Sequence, residues 1–202
     1  MLLWAEAMLF PNPSEFFFTA GYSSPVGRLD LAINEHGGLA VLAFEGRWVA
    51  PYGTKDARWI EDPKRLRVVT SQLDEYFAGE RRAFDLPLDL RGPEFHLRCW
   101  QALLRIPYGQ TWSYARLAAE VESPQASRAV GQANHHNPVA IIVPCHRVIA
   151  SNGTLAGFGG GLEAKEFLLT LEGASFRHAK GHSQRSLPRH QQQGNLFAET
   201  AL

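Results

Sequence analysis

Hydrophobic and polar positions in the first half of the chain follow the patterns of short β-strands. An aromatic run predicts a strand over residues 15–20, alternation predicts one over 29–34, and an apolar run predicts one over 39–44. A helix should begin at Asp62-Pro63 and stop at Gly79. These elements predict a small antiparallel sheet covered by one helix.

Helical spacing dominates the second half, which begins after the boundary Arg91-Gly92-Pro93. One helix is expected between Pro93 and Pro107. Two shorter helices should follow, over 114–120 and 126–133, the second capped by Ser123 and the first by a hydroxyl just before it. Two short helices joined by a tight turn are typical of a helix-turn-helix, but also of any helical hairpin in a packed core.

The rest of the chain contains an apolar run, a glycine-rich loop and a polar end. The run over 139–143 predicts a buried, extended segment that leads into Pro144-Cys145-His146-Arg147. The loop over 157–161 precedes a last helix over 162–172. Few apolar residues follow, so residues 174–202 are predicted to be a disordered tail. The expected domains are therefore 1–92 and 93–173.

Composition limits the class of protein. The chain has 202 residues, of which 45% are hydrophobic, so a fibrous or wholly disordered protein is excluded. No apolar run approaches the ~20 residues of a membrane-spanning helix, and the first residues lack a basic leader. Two cysteines, Cys99 and Cys145, are too few for a disulfide scaffold. A cytoplasmic protein without a membrane partner is expected.

The distribution of charge changes the first impression that the total gives. The formal net charge is 0, from 20 basic and 20 acidic residues, which by itself argues against a nucleic-acid partner. However, residues 1–93 hold 10 basic and 13 acidic side chains, 94–173 hold 6 of each, and 174–202 hold 4 and 1. Residues 95–160 contain five arginines and only two acidic residues, both glutamates, which allows a local basic surface.

Cys145 carries the strongest chemical signal. Only the thiolate of a cysteine is nucleophilic, and a neighbouring base or cation lowers the thiol pKa. Here His146 and Arg147 follow directly. Cys99 lies on the apolar face of a predicted helix and is expected to be inert. Glu172 is the acid candidate for orienting His146, although an ordinary carboxylate at a helix end is the simpler interpretation. Contact of His146 with the thiol, directly or through a water, depends on the local turn.

Two other features give weaker signals. The glycine loop is not a nucleotide P-loop, because no Lys-Ser or Lys-Thr follows it, but it suits a backbone that a ligand approaches closely. The pair His135-His136 has no neighbouring thiol or carboxylate, so no metal site is expected there.

Five short motifs lie in a fixed order between residues 94 and 173: Ile106-Pro107-Tyr108-Gly109, Ser113-Tyr114, Arg128-Ala129-Val130-Gly131, Asn137-Pro138 and Pro144-Cys145-His146-Arg147-Val148-Ile149. Together they resemble the O6-alkylguanine-DNA alkyltransferase family, the methylated-DNA–protein-cysteine methyltransferases. The Pro-Cys-His-Arg core is highly specific, whereas the N-terminal part carries no motif. The resemblance implies an α+β fold, in which a small ribonuclease-H-like sheet domain precedes a winged helix-turn-helix domain.

The resemblance also implies a function and a set of site residues. The protein would transfer an alkyl group from guanine O6 in double-stranded DNA to its own Cys145, once per molecule and without a cofactor. His146 and Glu172 would form, through a water, the relay that deprotonates the thiol, and Tyr114 would assist loss of the guanine. Arg128 would fill the base stack after nucleotide flipping. The other implied positions are Ala126, Ala129, Gln132 and Ala133 on the helix that enters the minor groove, and Asn137, Val148, Phe158, Gly159 and Gly160 in the substrate pocket.

This chain departs from the family pattern at two points. Phe158 stands where the family commonly has tyrosine, which keeps an apolar wall, loses a hydroxyl and leaves the preference between methyl and larger adducts open. No cysteine precedes Cys99, so the structural zinc of some relatives is not expected. Relatives with tryptophan in place of the acceptor bind lesions without repairing them, and Cys145 argues against that class.

The sequence also allows two other functions. The first is that of a non-catalytic DNA-binding protein, either a lesion sensor or a regulator. The second is that of a thiol hydrolase that uses Cys145 and His146. In the tail, Gln193-Gly194-Asn195-Leu196-Phe197 resembles the Gln-x-x-Leu-Phe peptides that dock on bacterial sliding clamps. A chance match in this glutamine-rich tail explains the pentapeptide at least as well. A monomer is expected.

Overall fold

A four-stranded mixed sheet forms the N-terminal half of the computed structural model, which describes residues 15–48 and 50–177. The strand order is β3-β2-β1-β4, with β1, β2 and β3 antiparallel and β4 parallel to β1. The strands are β1 (Phe16–Ser24), β2 (Gly27–Asn34), β3 (Leu39–Phe44) and β4 (Arg58–Glu61). The first three confirm the predicted strands. The fourth was missed because four residues are too short for a period, and the stacking of Trp59 on Phe17 at 4.6 Å holds it against the sheet.

Helix α1 (Arg67–Phe77) covers the inner face of this sheet through its buried residues Val69, Leu73 and Tyr76. The predicted start at Asp62-Pro63 is wrong, because residues 63–66 form turns in which the amides of residues 65–67 donate to carbonyls only three positions back. The predicted stop is confirmed, since Gly79 adopts a φ of 78° that favours glycine.

The C-terminal half is helical. Its elements are α2 (Glu94–Leu103), β5 (Trp112–Ser113), α3 (Tyr114–Glu120), α4 (Ser127–His135), a 3₁₀ turn (Cys145–Arg147), β6 (Val148–Ile149) and α5 (Gly161–Leu171). Ser113 caps α3 by accepting a hydrogen bond from the Arg116 amide at 3.1 Å, as predicted. The predicted Ser123 cap is wrong, because α4 begins only at Ser127 and has no side-chain cap. In the tight turn between the two helices, Glu122 has a φ of 56°.

The apolar run over 139–143 is buried, as predicted, but it is not a strand. Only Val139 makes a β-bridge, with Leu42. Ile141 then adopts a left-handed φ of 70°, and the Val143 amide donates back to the Val139 carbonyl at 2.9 Å. A β-branched residue is strained in this region, so the surrounding core must hold the turn in place. This turn, rather than the end of a strand, delivers Cys145.

Core residues from both halves form one hydrophobic cluster that includes Leu29 and Leu42 of the sheet, Tyr76 of α1, and Leu103 and Leu168 of the later helices. The helical half therefore packs directly on the sheet, which places α1 beside the end of α5. Domain limits at residues 92 and 173 stay a prediction. Within the described ranges, no helix is long and apolar enough to cross a membrane.

The disordered tail was predicted to begin at residue 174, which is too early. The Arg177 amide donates to the Gly153 carbonyl at 2.8 Å and Arg177 forms a bridge with Thr154, so residues 174–177 are ordered. Residues 178–202, including the clamp-like Gln193, Leu196 and Phe197, lie outside the described residues, as do the first 14.

Candidate active site

Cys145 begins the 3₁₀ turn and is only 7% exposed. Asn137 fixes its position: the side-chain amide donates to Sγ of Cys145 at 3.2 Å and to the Val143 carbonyl at 2.7 Å, and its oxygen accepts from the Val139 amide at 3.1 Å. Burial raises the pKa of the Cys145 thiol, while the hydrogen bond from Asn137 and the charge of Lys165 act in the opposite direction. The resting group is therefore a thiol that needs a base.

His146 and Glu172 form a fully buried pair in which Nε2 of His146 lies 2.9 Å from Oε1 of Glu172. Burial opposes ionisation of Glu172, but hydrogen bonds from His146 and Arg147 outweigh it and lower its pKa to about 2. Since an ionised carboxylate only accepts, Nε2 carries the proton and Nδ1 is the free base. Burial also lowers the pKa of His146, which keeps the ring neutral. Nδ1 is buried and has no hydrogen-bond partner among the described residues.

Glu172 is therefore not the ordinary helix-end carboxylate that the sequence favoured. Arg147 donates to Oε2 of Glu172 from Nε at 2.8 Å and to Oε1 from Nη2 at 2.9 Å, and its Nη1 donates to the Ile106 carbonyl at 2.6 Å. The Tyr76 hydroxyl donates to Oε1 at 2.8 Å, and the Gly109 amide donates to Oε2 at 3.4 Å. Arg147, counted among the arginines of a basic surface, is in fact buried in this network.

Lys165 is a second buried cation that the sequence patterns did not reveal. It lies on the inner side of α5, and Nζ donates to the Val148 carbonyl at 2.6 Å and to the Ala156 carbonyl at 2.8 Å. Burial lowers its pKa to about 8, and Cys145 acts in the opposite direction. The only signal in the sequence was a lysine among the apolar positions of the last helix. Lys165 thus links β6 to Ala156, the residue just before the glycine loop.

A cavity of about 470 Å³ opens above the thiol. Its wall is formed by the glycine loop on one side and α4 on the other; the lining residues are Tyr114, Ser127, Gly131, Gln132, Asn134, His135, Cys145, Gly157, Phe158 and Gly159. An adjoining space of about 270 Å³ shares Cys145 and Phe158 and reaches Asn137. Pockets of about 300–1,000 Å³ are typical of small-molecule sites. The sequence-predicted residues Tyr114, Cys145, Phe158 and Gly159 thus share one cavity.

Phe158 and Gly160 shape the loop side of the cavity. Phe158 packs edge-on against Phe44 of the sheet, with ring centroids 5.3 Å apart. Gly160 lies against the same ring, since a Cβ at this position would come within 2.5 Å of Phe44. Gly160 therefore supports the loop from below and does not line the cavity itself.

The outward face of α4 carries Arg128, Ala129 and Gln132, which are all exposed, and Ala126 is half-buried just before the helix. Within the described ranges Arg128 makes no ion pair. Ala133 departs from the expectation: its side chain is fully buried on the inner face and its carbonyl accepts from Trp100 Nε1 at 2.9 Å, so it is not part of the exposed face of α4.

Val148 requires a similar correction. Its side chain is fully buried, its backbone pairs with Trp112 in the two-stranded sheet of β5 and β6, and it lines neither cavity. No group of three His, Cys, Asp or Glu side chains in residues 15–48 and 50–177 lies close enough to hold a metal ion.

Two family models match the chain. The 6-O-methylguanine DNA methyltransferase DNA-binding domain matches residues 94–174, and the ribonuclease-like domain of the same family matches residues 18–90. A methylated-DNA–protein-cysteine methyltransferase from Mycobacterium tuberculosis strain H37Rv is 50% identical over 149 residues, which cover 74% of this chain and 88% of the relative. One from Methanosarcina acetivorans is 46% identical over 157 residues, which cover 78% and 99%.

A crystal structure of the Mycobacterium tuberculosis protein OGT in complex with DNA has a similar fold, with a TM-score of 0.69 and 45% identity over 78% of this chain and 92% of that one. The similarity spans both halves and confirms the predicted combination of a ribonuclease-like sheet domain with a helical DNA-binding domain. The chain belongs to the 6-O-methylguanine DNA methyltransferase family.

Proposed function

We propose that this protein repairs O6-alkylguanine in double-stranded DNA by moving the alkyl group irreversibly to Sγ of Cys145. The observation that carries the proposal is a buried thiol at a base-sized cavity, with a hydrogen-bonded His–Glu pair behind it and an exposed helix beside the opening. A lesion sensor has no need of the relay. A thiol hydrolase would pass through a thioester that water cleaves, so it would turn over, whereas alkyl transfer ends in a stable thioether.

The relay activates the thiol in one proton transfer. The proton of Cys145 passes to Nδ1 of His146 through a water, while Nε2–H of His146 stays hydrogen-bonded to ionised Glu172. The imidazolium that forms is stabilised by this carboxylate, as in a catalytic triad. Asn137 donates to Sγ and stabilises the thiolate charge.

Alkyl transfer is then a displacement at the alkyl carbon. The S–C bond forms as the C–O6 bond breaks, and the electron pair of that bond stays on the guanine oxygen. Tyr114, which lines the cavity, donates a hydrogen bond to the departing base and stabilises its developing negative charge. The proton that Cys145 gave to His146 is returned through water to the guanine anion, so the DNA keeps neutral guanine and the protein keeps a thioether that simple hydrolysis does not reverse. Each molecule acts once, without a cofactor.

Guanine O6 is out of reach inside a duplex, so the nucleotide must rotate into the cavity, and the unstacking costs a few kcal/mol. Arg128, exposed on α4, fills the space left in the stack and offsets part of that cost. The small side chains of Ala126 and Ala129 allow the helix to approach the minor groove closely. Gln132 lines the cavity and contacts the DNA backbone beside the flipped nucleotide.

The remaining parts of the proposal concern selectivity and setting. The backbone of Gly159 lies against the flipped base, and Phe158 walls the cavity without the hydroxyl of a tyrosine. The relay lies within one chain and both described cysteines are free and buried, which suits a monomer in the reducing cytoplasm. Gln193, Leu196 and Phe197 are a separate proposed contact with a sliding clamp; equal clamp recovery by a Leu196→Ala, Phe197→Ala variant would dismiss it.

A time course with excess O6-methylguanine duplex tests the function and separates the three classes. Repair predicts that methyl leaves the DNA in one burst, equal in amount to the protein, and then stops. A Cys145→Ala variant should still bind the duplex but give no burst. Binding without methyl loss by the parent would support the sensor, and continued product release would support an enzyme with turnover.

A further inference from the structure

Tyr76 connects the N-terminal half of the molecule to the buried relay. It lies on α1, its side chain is fully buried, and its hydroxyl donates to Oε1 of Glu172 at 2.8 Å across 96 positions of sequence. Building on the proposed function, we propose that Tyr76 is a positioning residue of the relay, through which the N-terminal half sets the basicity of His146.

The direction of the hydrogen bond is fixed. Burial, together with the neighbouring Glu172 carboxylate, raises the pKa of the Tyr76 phenol, so it stays protonated. Hydrogen bonds hold the pKa of Glu172 at about 2 against burial, so the carboxylate stays ionised. Tyr76 therefore donates to Oε1 throughout the range from about pH 5 to pH 9.

Oε1 of Glu172 is shared among competing donors. Tyr76, His146 and Nη2 of Arg147 all donate to this oxygen, whereas Oε2 accepts from Nε of Arg147 and from the Gly109 amide. Each donor takes up part of the carboxylate charge. Without the Tyr76 hydroxyl, more of that charge acts on the bond from His146, which favours the protonated imidazole and raises its pKa.

The other charged groups around His146 do not depend on Tyr76. Glu172 at the end of α5, Arg147 in the 3₁₀ turn and Lys165 on α5 act on its ring, and the thiol of Cys145 precedes it in the chain. Arg147 donates to both carboxylate oxygens, so Glu172 stays in place when the Tyr76 hydroxyl is removed. A change in the titration of His146 can therefore be assigned to the lost hydroxyl.

The packing around Tyr76 allows a clean substitution. Its ring contacts Phe77, Phe84 and Tyr108 at centroid distances of 5.4, 5.3 and 6.4 Å. Phenylalanine fills the same space, so Tyr76→Phe removes the hydroxyl and little else. Tyr22→Phe is the matched control, because the Tyr22 hydroxyl donates to Asp74 of the same helix at 2.7 Å and does not touch the relay.

Two measurements on the full chain test the proposal. The first is the titration of His146 by NMR of ¹⁵N-labelled histidine, without DNA. The second is the single-turnover rate of methyl transfer from an O6-methylguanine duplex between about pH 5 and pH 9. Transfer requires the neutral imidazole of His146, so the rate falls at acidic pH, and the midpoint of that fall reports the His146 pKa. Tyr76→Phe should raise both the His146 pKa and that midpoint by about half to one pH unit. Tyr22→Phe should match the parent in both.

A His146 titration in Tyr76→Phe that overlays the parent, or shifts downward, overturns the proposal. An equal shift of the titration in Tyr22→Phe overturns it as well, because the effect would then come from α1 as a whole. Failure of the proposed function is distinguishable, since a parent protein that transfers no methyl would refute repair while the DNA-free titration still decides the role of Tyr76.

Discussion

Glu172→Gln replaces the central carboxylate of the relay by a side chain of nearly the same shape. Glu172 is 5% exposed and accepts hydrogen bonds from His146, Arg147 and Tyr76. The substitution keeps the volume but removes the charge that neutralises buried Arg147. We therefore expect a loss of stability that is electrostatic in origin and depends on pH.

The size of the loss follows from the carboxylate itself. Its pKa is 4.5 in the absence of partners and about 2 in the folded protein, which corresponds to about 3 kcal/mol of native-state stabilisation. Because the folded pKa is the lower one, this contribution is complete above about pH 4.5 and disappears as the pH falls through about 2. Breaking a buried ion pair from one side costs about 3–5 kcal/mol, a similar magnitude.

Urea unfolding of the parent and Glu172→Gln at a series of pH values measures this difference. We expect the free energies of unfolding to differ by about 3 kcal/mol at neutral pH and to converge toward about pH 2. Glu163→Gln, at an exposed position in the first turn of α5, is the control and should cost less than about 1 kcal/mol. An equal cost of Glu172→Gln at acidic and neutral pH would refute the charge-based reasoning.

Two further predictions concern the cavity and DNA. Gly160→Ala places a Cβ 2.5 Å from the Phe44 ring and should lower the free energy of unfolding by about 1–3 kcal/mol. Gly157→Ala meets nothing within 4 Å and should leave the free energy of unfolding unchanged, as thermal unfolding of both variants will show. Arg128→Ala should slow transfer from duplex DNA by about tenfold to a hundredfold, because unstacking the nucleotide costs a few kcal/mol. Transfer from the free O6-methylguanine base needs no unstacking and should be unchanged. An equal loss of rate on both substrates contradicts the stacking role of Arg128.

Local patterns predicted much of the fold. Alternation and apolar runs located β1, β2 and β3, and the glycine at position 79 marked the end of α1. The run over 139–143 was misinterpreted because burial alone does not distinguish a strand from a buried turn. Ile141 in a left-handed conformation is a tertiary effect that no residue preference announces.

Short motifs and the family resemblance located most of the residues that meet around the thiol. Cys145, His146, Tyr114 and Asn137 belong to short motifs, and they lie near one another around the thiol. The support of the relay was missed, because Tyr76 and Lys165 lie at positions that patterning assigns to the core. Their polar ends find partners only through contacts that fold the chain across many residues, such as the bond from Tyr76 to Glu172.

Arg147 shows how a count of charges misleads. The five arginines between residues 95 and 160 suggested a basic surface, yet Arg147 is buried against Glu172 and Arg105 pairs with Glu120 at 3.3 Å. Arg128, exposed on α4, is therefore the arginine to which we assign a direct role at the lesion. The modest basic footprint predicts weak, salt-sensitive binding to undamaged DNA.

Mapping the methylated residue tests the central claim most directly. The protein is reacted with excess O6-methylguanine duplex, digested, and the peptides that contain Cys99 and Cys145 are weighed. Repair through Cys145 predicts one methyl group per chain, entirely on that residue, with Cys99 unmodified in its buried position. Methyl on Cys99, methyl on any other residue, or full loss of methyl from the DNA with Cys145 unchanged would contradict it.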